Sequence, residues 1–109
     1  RSYRYFKRTI RNVVMYRDEI DGKLNQAKVR GCTTVLLIGV SDLDFIIEHC
    51  CLRHGLTYLK VVDLKTAHPL YSGDYFIIFS ETISPPPGLP KPNQLYLLTL
   101  LSGSGELHG

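Results

Sequence analysis

The longest apolar run in the chain, Cys32 to Val40 (CTTVLLIGV), is built from β-branched and aliphatic residues with no charge. Such a run predicts a strand covered on both faces, because a half-exposed strand would alternate apolar and polar positions. The pattern then changes period. Leu43, Ile46, Ile47 and Cys50 fall at i, i+3, i+4 and i+7, which is one face of a helix. Ser41 stands where an N-cap is expected, Asp44 supplies an acid three residues later, and His54-Gly55 gives a glycine stop. Thr57 to Leu64 (TYLKVVDL) predicts the next strand, so residues 32–64 form a strand–helix–strand unit. Asp74 to Glu81 (DYFIIFSE) and Gln94 to Leu101 (QLYLLTLL) predict two more strands. Between them, residues 83–93 (ISPPPGLPKPN) hold five prolines and suit neither a helix nor a central strand.

The N-terminal third is less decided. Tyr3, Phe6, Ile10, Val13 and Val14 approach helical spacing and predict a helix over 3–17, capped by Ser2. The rival is a strand over Asn12 to Tyr16, since Val-Val-Met-Tyr favours sheet. Asp18-Glu19-Ile20-Asp21-Gly22 reads as a turn, and residues 23–30 as a short helix or loop. Residues 102–109 read as a flexible Gly/Ser-rich tail. These elements predict a small single α+β domain over residues 1–101. Its parts are the central strand–helix–strand unit, a mainly antiparallel four-stranded sheet with the 83–93 segment as its Pro-rich loop, and an N-terminal helix. Strands this apolar in a chain this small also suggest homo-oligomerisation through an exposed sheet face.

Composition adds little until charge is followed along the chain. With 109 residues, 44% hydrophobic and 21% charged, the sequence is of ordinary globular type. Residues 1–30 hold nine of the 13 Lys and Arg and three of the ten Asp and Glu, whereas residues 31–109 hold four cations and seven acids. The formal net charge of +3 therefore divides into +6 and −3. The first dozen residues carry five cations and three aromatics without an acid. Arg4, Lys7, Arg8 and Arg11, with Tyr5 among them, are the candidate nucleic-acid-binding residues: cations for phosphates and a ring for stacking. The plainer alternative for this basic segment, residues 1–17, is a solvated amphipathic helix leading in from a neighbouring domain.

No spacing in the chain defines a reaction. Cys50 and His54, four apart on the predicted helix, supply two metal ligands where a structural zinc site needs four. Asp42 and Asp44 suit Mg²⁺ by chemistry, but helix capping accounts for them. Gly31 and Gly39 are isolated, so neither a P-loop nor a dinucleotide fingerprint is present. Pro87-Gly88-Leu89-Pro90 is a loose peptide-ligand motif. No catalytic residue, metal or cofactor is assigned. Three cysteines, two of them adjacent, make a poor disulfide framework and point to a reducing intracellular compartment, nucleus or cytoplasm. The longest apolar run is too short to span a bilayer. The expectation is a non-catalytic DNA- or RNA-binding domain working through its basic N-terminus, as a monomer or homodimer. The alternative is a protein–protein interaction or oligomerisation module of a larger protein.

Overall fold

The computed structural model describes residues 3–63, 74–85, 87 and 91–106, and the side chains of residues 13–63, 74–85, 87 and 91–101. In chain order the elements are α1 (Tyr3–Val29), β1 (Thr34–Ile38), α2 (Asp44–His54), β2 (Thr57–Val61), β3 (Tyr75–Phe79), β4 (Gln94–Tyr96) and α3 (Leu97–Glu106). The strands form one sheet in the order β2-β1-β3-β4. Every pair is parallel, with Thr34 opposite both Thr57 and Tyr75, and Ile78 opposite Leu95.

The expected α+β fold with a mainly antiparallel sheet is therefore corrected to an all-parallel α/β domain. Connection length explains the difference. Parallel neighbours need a crossover of about a dozen residues or more. Residues 62–74 and 80–93 provide that length on either side of β3. The proline-rich segment thus separates two parallel strands rather than turning a hairpin. The strand–helix–strand unit is present as β1–α2–β2, with its strands in direct register.

The apolar runs are buried as a parallel sheet requires. Val35 and Leu37 of β1, with Phe76 and Ile78 of β3, join a core cluster containing Ile20, Leu24 and Ala27 of α1, Ile46, Ile47 and Cys50 of α2, and Leu97 of α3. Leu36 and Ile38 alternate to the opposite face, with Ile77, Phe79 and Tyr96. There the Phe79 and Tyr96 rings stack with centroids 4.4 Å apart. These second-face side chains are themselves buried, whereas Leu59 of β2, opposite Leu36 on the same face, is 38% exposed.

Two helical assignments also change. α1 runs unbroken through Asp18–Gly22, which the sequence presented as a turn. Ile20, Leu24 and Ala27 are fully buried at i, i+4 and i+7, so the apolar stripe continues beneath the acidic residues. The helix stops at Gly31, whose φ is 100°. There the Cys32 N–H donates to the Ala27 carbonyl and the Gly31 N–H to that of Lys28, a Schellman closure. α2 ends in the same way: Gly55 is left-handed and the Leu56 N–H donates to the Cys51 carbonyl. At the other end of the chain, the expected strand over 94–101 is split. β4 covers only its first three residues, and α3 follows directly. Leu97 is buried, and Leu100 and Leu101 pack against the helical-face cluster at i+3 and i+4. α3 continues to Glu106, into the stretch read as a tail, and residues 107–109 lie outside the described residues.

Gly22 tests the continuity of α1. A β-carbon there meets nothing within 4 Å. Gly22→Ala is expected to raise stability by about 0.5–1 kcal/mol, the usual gain for glycine replaced by alanine inside an exposed helix. Urea unfolding checks this, and a loss of stability would restore the turn.

Candidate functional site

Two regions carry functional chemistry: the first turns of α1 and the carboxyl edge of the sheet. The frame of α1 is fixed by α2. The Cys50 thiol donates to the Arg17 carbonyl at 3.9 Å, and His54 Nε2 pairs with Asp21 Oδ1 at 2.8 Å, both with a sequence offset of 33. Arg53 adds an ion pair to the same carboxylate at 3.8 Å. The shared offset means that the two helices run side by side in the same direction. At its far end α1 reaches the amino edge of the sheet, where Arg30 Nε donates to Asn93 Oδ1 at 2.7 Å just before β4. Carried back along the helices, the same offset sets Asp44, the first residue of α2, beside Arg11. Residues 3–10 of α1 therefore run past the start of α2 and beyond the carboxyl edge by about 12 Å, at 1.5 Å per residue.

Helical periodicity also orients this extension. Val13, Tyr16, Ile20, Leu24 and Ala27 define the stripe that α1 turns to the core. At about 100° per residue, positions 4, 7, 8 and 11 centre about 170° from that stripe. The side chains of Arg4, Tyr5, Lys7, Arg8 and Arg11 lie outside the described residues. Their backbone positions share one continuous helix. Farther along, the same outward arc carries Asp18 and Glu19, so the cationic stretch ends within α1.

At the carboxyl edge, β1 stands between β2, to which it leads through α2, and β3. The connections that leave β1 and β3 thus run to opposite sides, and open α/β sheets hold ligands at such a point between two strands. Gly39 follows β1 with a φ of 96°, and a β-carbon there would lie 2.3 Å from Ser80 Oγ and 3.3 Å from Thr82 Oγ1. Only glycine permits this approach. Ser41 and Ser80 are the buried polar residues among those described. Ser41 does not cap α2 directly: its hydroxyl accepts from the Leu43 N–H at 3.0 Å inside the loop. Glu81 crosses between the two loops, and its Oε2 accepts from the Asp42 N–H at 3.0 Å. The other carboxylate oxygen, Oε1, is buried without a hydrogen-bond partner.

The aspartates raised as a metal pair are not brought together. Asp44 faces β2, where it accepts from the Tyr58 hydroxyl and from Lys60 Nζ at 2.9 Å. Burial pushes the Asp44 carboxyl up, but the Tyr58 and Lys60 hydrogen bonds and the Lys60 charge outweigh it and hold the carboxyl below the usual aspartate value. Tyr58 is pushed up by burial and by donation to Asp44. Cys50 and His54 both turn to α1 partners instead of a common ion. No group of three metal-ligating side chains occurs among the described residues. Burial raises the thiol of Cys50, and that of Cys51 to about 12, so neither is a ready nucleophile. Of the Pro87–Pro90 motif, only Pro87 is among the described residues. No described helix is long and apolar enough to cross a membrane.

The Gly39–Glu81 contact zone has no signature in the sequence. Its members are some forty positions apart and meet because β1 and β3 are neighbours, which no residue spacing encodes. Comparison of the chain with known protein families, curated proteins and solved structures finds no match.

The Asp44 contacts make a pH prediction. A carboxyl held below its unfolded value, about 3.9, contributes stability that is fully present above that value. The contribution is lost as pH falls through the lower folded value. Tyr58→Phe should cost about 1 kcal/mol at pH 7 and less as the pH is lowered through the aspartate range. Urea unfolding of both proteins from pH 7 to 2 checks this, and a pH-independent difference would contradict it.

Proposed function

We propose that this chain is a non-catalytic nucleic-acid-binding domain that uses the extended first turns of α1. The observation that carries the reading is angular. Arg4, Lys7, Arg8 and Arg11 occupy positions on an arc opposite the stripe that α1 buries, the first three on the part of the helix that outruns α2 and Arg11 level with its start. Cations there neutralise phosphates without competing with the core, and Tyr5 on the flank stacks on a base or sugar. The residues that the sequence offered for catalysis or metal binding are engaged elsewhere, Asp44 with Tyr58 and Lys60, and Cys50 and His54 with α1. Three buried, free thiols favour a reducing intracellular setting, nuclear or cytoplasmic.

Four phosphate contacts imply a slope of about −3 to −4 in log K against log salt concentration. Fluorescence anisotropy with labelled single- and double-stranded DNA and RNA should give this slope for the wild type. The Arg4/Lys7/Arg8/Arg11→Ala variant should lose most of both the affinity and the slope. Equal binding by the two proteins would end the proposal.

A second reading, a homodimerising interaction module, is favoured by one observation. Phe45 and Leu52, 61% and 75% exposed, lie seven residues apart on the outer side of α2. Two copies meeting there would bury both pairs. Light scattering at high concentration should then show a dimer that Phe45→Glu/Leu52→Glu converts to a monomer. A wild-type monomer excludes this reading.

A further inference from the structure

β2 is an outer strand of the sheet, and among the described residues no strand pairs with its free edge. Its inner edge shows which backbone groups are left over. The Thr57 N–H donates to the Thr33 carbonyl, and the Val61 carbonyl accepts from the Gly39 N–H. Backbone groups alternate sides along a strand, so Thr57, Leu59 and Val61 turn theirs to β1. Tyr58 and Lys60 therefore hold their N–H and C=O groups outward. Outer strands are usually blunted by proline, a bulge or a projecting charge, because a bare one recruits another strand. β2 has no proline and keeps direct register with β1 along its length. Its one charged residue, Lys60, is tied to Asp44 of the same chain at 2.9 Å. Leu59 stands 38% exposed on the face opposite to that ion pair.

The residues of β2 select what completes this edge. A two-fold axis between two identical strands makes them antiparallel. Such a pair closes hydrogen bonds only where an outward residue meets an outward residue. Lys60 against Lys60 of the second copy sets like charges opposite each other. Tyr58 against Tyr58 of the second copy leaves Leu59 facing a threonine. Tyr58 against Lys60 of the second copy avoids both. That register gives two pairs that each exchange both hydrogen bonds. It also sets Leu59 on the axis against its own copy, at the non-hydrogen-bonded position where side chains come closest. Charge is complementary as well. Tyr58 donates to Asp44 in each copy, so the lysine opposite it comes beside that carboxylate and each Asp44 faces two lysines. We infer that β2 pairs antiparallel with β2 of a second copy about Leu59, joining the two sheets into one. α2 meets α1 through Cys50, Arg53 and His54, and β2 through Asp44, so this edge lies on the side of α2 away from α1. The pairing is independent of nucleic-acid binding and does not use the Phe45 and Leu52 contact.

The test is sedimentation of the full chain at high concentration, together with disulfide trapping. The wild type should sediment as a dimer. Leu59→Lys, which sets two ammonium groups on the axis, should sediment as a monomer with the circular dichroism of the wild type. Phe45→Glu/Leu52→Glu should remain a dimer. The native thiols are buried. Under mild oxidation Leu59→Cys should therefore give a disulfide-linked dimer through its new thiol. Thr57→Cys, whose two copies stand about 13 Å apart in this register, should give at least about tenfold less. A wild-type monomer, a dimer that Leu59→Lys leaves intact, or equal trapping of the two cysteine variants would each overturn the inference. A dimer lost only in Phe45→Glu/Leu52→Glu would overturn it too and leave the α2 contact standing.

Discussion

Burial of β1 on both faces is the constraint on which the other elements depend. Leu36 and Ile38 must be covered on one side and Val35 and Leu37 on the other, while both edges of the strand need hydrogen-bonded neighbours. A strand in that position takes the centre of the sheet. β2 and β3 then fall on either side of it, and α1 and α2 lie together over the Val35 and Leu37 face. The carboxyl edge of β1 becomes the place where loops from opposite halves of the sheet converge. Site and core thus have one origin.

The sequence made β1, α2 and the positions of β2 and β3 legible because the strands are bounded apolar runs and α2 has a helical stripe. The direction of pairing was not legible, since an apolar strand fits parallel or antiparallel neighbours alike and the 62–74 and 80–93 connections decide between them. The 94–101 segment was misread for a related reason. A run of leucines satisfies either period, and Leu97, Leu100 and Leu101 become helical through packing against the helical-face core. In α1 the visible acids and glycine masked the stripe of Ile20, Leu24 and Ala27, although that spacing was present.

The candidate chemistry divides in the same way. A run of cations is local and could be seen in the sequence, whereas its position opposite the core stripe required the whole length of α1. The Asp42/Asp44 and Cys50/His54 pairs looked suggestive because their members are close in sequence. Tertiary partners engage them instead: Asp44 turns to Tyr58 and Lys60 of β2, while Cys50 and His54 both turn to α1. Glu81 had no local signature and meets the Asp42 N–H only through strand order.

The parallel course of α1 and α2 has an electrostatic consequence. Both helices point their amino termini toward the carboxyl edge, and a helix amino terminus carries about half a unit of positive charge. Asp44 sits in the field of α2, beside the ammonium of Lys60, whereas the amino terminus of α1 lies about 12 Å farther out. The Asp44 carboxylate is thereby compensated, while Asp42 and Glu81 keep the formal balance at the mouth of the sheet negative.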